Sequence, residues 1–356
     1  MAAVWLSLFA YAGRPLLVAA AAGGVAPALA WSGLLALSVV PLLPMFFRGR
    51  TLIEWTGYAT MAVFSLLLTL VAAGDVVRLV WRNADARTVS FAIIGAAGVL
   101  SLVGLAQARC PAVKRVTITI DDLPDALDGY RIVQLSDVHV GPTIRRQFVQ
   151  SLVARTNALD ADAIAITGDL VDGALDGLRE QVQPLRGLRA RDGVFYVTGN
   201  HEYYWGATAW VEELRTLGLT FLKNEHRVIN RGDARLAIAG VTDPVGRYSH
   251  KQDPHAALAN VPRDAVKVLL SHRPQTAKLA SQLGVHLQLG GHTHGGQFFP
   301  FNLFIKWFQP IVAGLHKVDA TWLYVNRGTG YWGPPSRLFV GGEITVLELR
   351  GSGPAA

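Results

Sequence analysis

Three stretches of this chain carry no charged side chain at all: Val25 to Phe47, Trp55 to Gly74, and Val89 to Ala108. A helix needs about 20 apolar residues to cross a hydrocarbon core about 30 Å thick. Inside that core a backbone can satisfy its own polar groups only as a helix or a closed barrel. None of the three runs alternates polar with apolar residues as a barrel strand would, so each reads as a spanning helix. A fourth run, residues 3–22, has the same character but carries Arg14 in its middle. A bilayer accepts such an arginine only when it snorkels or is paired.

A signal peptide over residues 1–30 is the competing reading, since Arg14, the apolar run and Ala28-Leu29-Ala30 resemble its three regions. Further spanning runs follow at once, which favours three or four transmembrane helices. Before residue 109 the only charged residues are Arg14, Arg48, Arg50, Glu54, Asp75, Arg78, Arg82, Asp85 and Arg87. Beyond Cys110-Pro111 the pattern changes to the alternating "VKRVTITIDDLPD", and charge is spread as in a soluble domain. The expectation is a transmembrane region over 1–108 and a second domain over 109–356. The chain is then an integral membrane protein, of the inner (cytoplasmic) membrane if bacterial. Arg48 and Arg50 with Arg109, Lys114 and Arg115 lie to one side of the membrane, and Arg78, Arg82 and Arg87 to the other. The balance tips toward a cytoplasmic second domain. The net charge of +7 contains no dense basic run; it suits an anionic lipid surface and gives no nucleic-acid footprint. A single cysteine excludes an intramolecular disulfide and a thiolate metal cluster.

The second domain repeats one plan. "YRIVQL" is an apolar strand followed by Ser136-Asp137-Val138-His139, and "ADAIAIT" is followed by Gly168-Asp169 with Asp172 after it. "GVFYVT" leads to Gly199-Asn200-His201-Glu202, "AVKVLL" to Ser271-His272 and Arg273, and "VHLQL" to Gly290-Gly-His292-Thr-His294-Gly-Gly-Gln297. Stretches with helical character, Gln147–Leu159 and Leu175–Leu188, separate the first three. Alternating strand and helix predicts an α/β core with its ligands gathered at the strand ends. Five consecutive strand ends that each deliver a metal-compatible side chain point to one metal site. His292 and His294 project to the same side of the chain, and their glycines keep Cβ atoms out of a loop that passes close to its ligands.

The ordered blocks Asp-x-His, Gly-Asp-x-x-Asp, Gly-Asn-His-Glu, His and Gly-His-x-His, from about Tyr130 to Val340, resemble the calcineurin-like metallophosphoesterase superfamily. The later Tyr324-Val-Asn-Arg327-Gly-Thr-Gly330 is similar to its membrane-linked YkuE/YaeI-type phosphoesterases. The resemblance implies a β-sandwich core flanked by helices and a site with two divalent metal ions. Asp137, His139, Asp169 and His294 would hold the first ion; Asp169, Asn200, His272 and His292 would hold the second, with Asp169 bridging. A hydroxide held between the ions would attack the phosphorus in line, and His201 beside the phosphate would serve the leaving group. Glu202 stands where the superfamily more often has aspartate. Asp172, Glu202, Arg273 and Arg327 would support the ligands or face the substrate. Imidazole, carboxylate and amide donors without thiolate suit Mn, Fe or Zn.

After the histidines, residues 298–315 carry one charge, Lys306, and six aromatics: Phe298, Phe299, Phe301, Phe304, Trp307 and Phe308. This run is either a further buried segment or a hydrophobic lip that dips into the bilayer or holds an acyl chain. With the membrane region, the lip predicts a phosphodiester or pyrophosphate of a membrane lipid or lipid-linked precursor as substrate. Two alternatives stand beside it. One is a tethered enzyme acting on soluble nucleotides or phosphoproteins. The other is a sensor or transporter whose phosphoesterase-like domain only binds a ligand.

Overall fold

The structure, a computed structural model, describes residues 2–47, 49–247 and 250–352; Arg48, used above in the orientation count, lies outside them. The chain forms two compact units. The first is helical and takes in Met1–Arg109 together with two later segments, Gln297–Phe304 and Gly333–Val340. Its helices are Ala2–Ala12, Arg14–Ala22, Pro27–Val39, Leu43–Phe46, Thr51–Val80 and Ala86–Arg109. Among the described residues, three spans are long and apolar enough to cross a membrane: Pro27–Phe46, Thr51–Val80 and Ala86–Arg109. A fourth is possible if the first two helices, bent by 47° where they meet, count as one. Pro15 explains the break, because it opens the second helix without an N–H to continue the first.

The last two spans outrun their uncharged cores. Thr51–Val80 carries Glu54, Asp75 and Arg78, and Ala86–Arg109 carries Arg87. Helical hydrogen bonding does not stop where hydrocarbon stops. Arg14 meets the condition its position imposes: its Nη2 donates to Asp75 Oδ2 at 2.5 Å, and the Tyr11 hydroxyl donates to the same oxygen at 2.7 Å. Ala12, Leu67 and Ala97 form the buried centre of the unit. The two late segments are fastened to the long helices. The Ser65 hydroxyl donates to the Phe299 carbonyl at 3.1 Å, and the Arg337 N–H donates to the Gly104 carbonyl at 3.0 Å. The Phe299 ring meets Phe339 edge-on at 5.5 Å. The aromatic run is therefore not one body. Residues 297–304 belong to the helical unit, whereas Ile305–Trp332 belongs to the second unit. Its members Trp307 and Phe308 are 78% and 70% exposed, which excludes the reading of a further buried segment for them.

The second unit is mixed α/β with two six-stranded sheets. Its strands are β1 (Ala112–Ile120), β2 (Arg131–Leu135), β3 (Ala163–Thr167), β4 (Val194–Val197), β5 (Thr220–Phe221) and β6 (Glu225–Arg231), followed by β7 (Ala234–Gly240), β8 (Val266–Leu270), β9 (Leu287–Gly290), β10 (Gly314–Val318), β11 (Thr321–Val325) and β12 (Glu343–Gly351). One sheet runs β1-β12-β2-β3-β4-β5, and the other runs β10-β11-β9-β8-β7-β6. A single apolar cluster draws Ile132, Phe195 and Val197 from the first sheet and Leu236, Val268, Leu289 and Tyr324 from the second. That shared core makes the pair a sandwich. Helices Arg146–Asn157, Leu175–Val182 and Ala207–Thr216 carry the crossovers. Strands β2 to β5 are mutually parallel, as are β7, β8, β9 and β11. Their carboxyl ends within each sheet therefore share one edge, where such sheets bind ligands.

Candidate metal centre

The buried central strands β2, β3, β4, β8 and β9 end in the loops that sequence reading singled out. Beyond β2 lie Asp137 and His139, beyond β3 Asp169, beyond β4 Asn200, beyond β8 His272, and beyond β9 His292 and His294. Asp137, His139, Asp169 and His272 are almost fully buried. Asp137, His139, Asp169, His292 and His294 all hold positive φ, between 50° and 72°. Aspartate and histidine tolerate that region better than most residues, yet such conformations persist only where surroundings over-determine them. Five at one edge mark a site that trades backbone comfort for side-chain direction. Two glycines allow the close approach. A Cβ on Gly199 would overlap the Asp169 carboxylate, and one on Gly291 would overlap Ser136 Oγ and the Asp137 carboxylate.

Two groups of potential ligands form, each with its atoms within 4.8 Å of one another: Asp137, His139 and His294, and Asp169, His272 and His292. In the first, His294 Nε2 lies 3.0 Å from His139 Nε2 and 3.2 Å from Asp137 Oδ1. In the second, His272 Nε2 lies 3.2 Å from Asp169 Oδ2. Asp169 Oδ2 is also 3.8 Å from His139 Nε2, so this one oxygen faces both groups. A third group, His139, Asp172 and His201, adjoins them.

These donors fit a cation on their own geometry. His272 Nδ1 donates to the Thr167 carbonyl at 2.8 Å, which in the neutral ring turns the Nε2 lone pair on the Asp169 carboxylate. Two acceptors facing each other in a buried site need a positive charge between them. Among the described residues, the buried Asn200 Oδ1 and His272 Nε2 atoms have no hydrogen-bond partner. Donor atoms about 2.1 Å from one ion stand about 3.0–3.4 Å apart, which brackets the 3.0 and 3.2 Å separations within the two groups.

The charge states agree for most of the set. Burial would raise the Asp137 carboxyl, but His294 and His272 hold it well below the usual range. Burial is likewise outweighed at Asp169, chiefly by His272, and that carboxyl also lies well below its ordinary value. Burial, with His201 and His294 alongside, takes His139 down to about 3, and burial with His272 and Arg273 takes His292 to about 4. Ionised carboxylates and neutral imidazoles are what a metal requires. His272 goes the other way. Burial opposes its proton, but Asp169 and Asp137 raise it to about 10, so a cation there competes with a proton.

The supporting residues divide by task. Asp172 Oδ1 accepts from His201 Nδ1 at 2.9 Å and from Trp205 Nε1 at 2.9 Å, which fixes the His201 ring. Burial lowers the His201 pKa, but the hydrogen bond to Asp172 and the nearby Asp169 carry it above the ordinary value. Glu202 faces away from the ligand atoms and gathers backbone: its carboxylate accepts from the N–H groups of Asp169, Leu170, Val171 and Gly199 at 2.6–3.3 Å. It ties two ligand loops together, and burial beside Asp169 raises its pKa to about 7. Arg273 Nη1 lies 3.2 Å from His292 Nε2, while its Nε and Nη2 donate to Asp243 at 2.9 and 3.4 Å. Arg327 is directed to Glu343 instead, with Nε 4.0 Å from Oε2.

Sequence reading missed three participants. Asp243 follows β7, a sixth strand end built like the others, with Val241-Thr242 between it and Gly240. Gln134 Nε2 donates to Thr167 Oγ1 and to the Gly290 carbonyl, both at 2.9 Å, and so joins the two sheets beside the histidine loop. Trp332 sets its ring 5.8 Å from that of His201, with Tyr204 at 5.2 Å.

Residues 130–296 match the family described as calcineurin-like phosphoesterase. The chain is 37% identical over 264 residues to the "Transmembrane protein with metallophosphoesterase domain" of Danio rerio, a match covering 71% of this chain and 60% of that one. It is 32% identical over 246 residues to an uncharacterized metallophosphoesterase of Aquifex aeolicus, covering 68% of this chain and 92% of the relative. With the uncharacterized metallophosphoesterase YkuE of Bacillus subtilis the identity is 30% over 248 residues, covering 66% and 84%. The chain spans about 60% of the length of the vertebrate relatives it matches.

Proposed function

From the chain's membership of the calcineurin-like metallophosphoesterase family, we propose that it hydrolyses a phosphodiester or pyrophosphate of a membrane lipid or lipid-linked substrate. Asp137, His139, Asp169 and His294 would hold one divalent cation; Asp169, Asn200, His272 and His292 would hold the other. The donor set suits Mn, Fe or Zn. Two cations held there would supply the charge that acidifies an attacking water and screens the phosphoryl oxygens.

The remaining steps fall to the chain's own residues. Asp172 orients His201 and keeps its Nδ1 engaged, which leaves Nε2 to give a proton to the departing oxygen. Asp169 Oδ1 accepts the His201 backbone N–H at 2.8 Å, so acid and bridging carboxylate move as one piece. Arg273, braced by Asp243, brings a guanidinium to the His292 side, where it can meet a phosphoryl oxygen. Glu202 keeps the loops of Asp169 and Asn200 in register.

One observation carries the lipid reading. The chain passes directly from Gly296, at the end of the histidine loop, to Gln297 in the apolar helical unit, and Phe299 is hydrogen-bonded to a spanning helix there. Exposed Phe301, Phe304, Trp307 and Phe308 follow, side chains that favour a membrane interface. Residues 1–108 would then serve as the membrane region and 109–356 as the catalytic region, on the cytoplasmic side by the arginine and lysine count.

The test is turnover by the full-length chain in lipid micelles with Mn. Phospholipid and lipid pyrophosphate would be compared with bis(p-nitrophenyl) phosphate, p-nitrophenyl phosphate and free nucleotides, with Asp169→Asn as the blank. The expected result is a kcat/KM on a lipid ester at least about 10²-fold above any soluble one. Equal or better turnover of a soluble nucleotide would replace the lipid reading with that of a tethered enzyme.

A further inference from the structure

The helical unit holds a second concentration of charge, apart from the metal ligands. Arg14, Asp75 and Arg78 line a cavity of about 120 Å³ whose other walls are largely apolar, among them Val18, Val71 and Ile93. Asp75 Oδ2 accepts from both Arg14 and Tyr11, and the Arg14 guanidinium also lies over the Tyr11 ring at 4.3 Å. Two arginines against one aspartate leave one positive charge at the cavity. Arg78 supplies it, since among the described residues it forms no hydrogen bond or ion pair.

Depth identifies the environment. Helix Thr51–Val80 ends two residues beyond Arg78 and five beyond Asp75, about 3 and 8 Å along the axis. The headgroup layer of a bilayer adds about 5–8 Å to each side of its hydrocarbon core. The charges therefore sit at the level of lipid phosphates, and the apolar walls lie where acyl chains begin. At that depth an arginine reaches lipid phosphates rather than hydrocarbon, and a basic group beside apolar walls suits an anionic headgroup with its acyl chain.

We propose that this cavity binds the phosphate of an anionic phospholipid, with Arg78 and the outer edge of Arg14 on the phosphate and the apolar walls along an acyl chain. Free phosphate shares the charge but gains nothing from Val18, Val71 and Ile93. The cavity draws Ala86, Val89 and Ser90 from the beginning of helix Ala86–Arg109, and none of its lining residues belongs to the candidate metal centre. A lipid held here is a bound partner, not the substrate.

The test uses the full chain in neutral detergent micelles. Phosphatidylglycerol or phosphatidylcholine is added, and the retained lipid is counted by native mass spectrometry. The expected result is preferential retention of phosphatidylglycerol, weakened about fivefold by Arg78→Ala and largely kept by Arg78→Lys. Arg78 is exposed and outside the Arg14–Asp75 bond, so both variants should fold; matching melting curves check this. Equal retention of the two lipids, or an undiminished preference in Arg78→Ala, would overturn the proposal. Displacement of phosphatidylglycerol by millimolar inorganic phosphate would overturn the lipid assignment in favour of a free-anion site.

Discussion

The two units bury charge in opposite ways. In the helical unit Arg14 is matched at once by Asp75, a tyrosine seals the pair, and the apolar packing of Ala12, Leu67 and Ala97 continues around it. In the α/β unit Asp137, Asp169, Asp172, Glu202 and five histidines converge on one edge, five backbone positions are strained, and buried atoms of Asn200 and His272 lack hydrogen-bond partners among the described residues. In the first the Arg14–Asp75 pair is matched inside the protein, with Arg78 left beside it. The second is left open, and an open set of buried donors defines a place for a ligand. Net charge would not separate the two units; the degree of internal satisfaction does.

If that contrast is sound, removing one ligand should harm function far more than folding. Asp169→Asn is expected to lower kcat/KM by about 10³-fold or more and to reduce bound metal, as seen by elemental analysis of the purified chain. Its melting temperature in EDTA should fall only modestly below that of the wild type: the ionised Asp169 carboxylate, paired with His272, stabilises the metal-free fold, and the amide removes that pairing. A large loss of stability in EDTA would show that the cluster holds the fold together by itself, and the contrast would fail. His201→Ala comes next, with kcat lower by about 10²–10⁴-fold and metal content unchanged. Loss of metal in that variant would move His201 from proton donor to ligand.

Metal removal gives the intermediate effect. A ligand at about 100 times its Kd stabilises the folded form by about 2.7 kcal/mol. For a unit of this size that is about 5–10 °C. EDTA should lower the melting of the α/β unit by that amount, while the helical signal in detergent stays in place. Glu202→Gln should act in the same direction, weakening metal binding by about 10–100-fold, because an amide oxygen holds the N–H groups of Asp169, Leu170 and Gly199 less strongly than a carboxylate. Unchanged affinity in a titration of that variant would leave Glu202 a purely structural residue.

The same contrast explains what could be read from the sequence. A strand buried on both faces is largely apolar, so β2, β3, β4, β8 and β9 stand out as short apolar runs, with most of their chemistry in the loops that follow. The mixed α/β fold was legible for this reason, and the long apolar helices from their uncharged runs. So was the convergence of Asp137, Asp169, His272 and His294, whose role as ligands the Asp169 variant and the EDTA experiment above test. Asp243 is separated from β7 by two residues, as Asn200 is from β4, but its stretch Val241-Thr-Asp-Pro244 matches none of the blocks that singled out the other strand ends. Its role appears only through Arg273, 30 residues away. The division of the aromatic run at Phe304 was equally hidden, since phenylalanines have the same composition whether they pack on a sheet or on a spanning helix. Arg14 announced that it needed a partner, but Asp75 lies 61 residues on, and no local pattern joins them.

That pair gives the smallest predicted effect and the sharpest check on the closed side of the comparison. Arg14 and Asp75 are 46% and 41% exposed, which screens them relative to a buried pair. A double-mutant cycle through Arg14→Ala and Asp75→Ala should therefore show a coupling of about 1 kcal/mol in thermal unfolding from detergent. The double variant should be more stable than Asp75→Ala alone, since that single change leaves Arg14 unmatched among apolar helices. Phosphoesterase activity toward a soluble ester should stay within about twofold of wild type in all three. A drop in activity tracking the broken pair would mean that the ion pair is not closed on itself and that the helical unit's charge also serves the catalytic reaction.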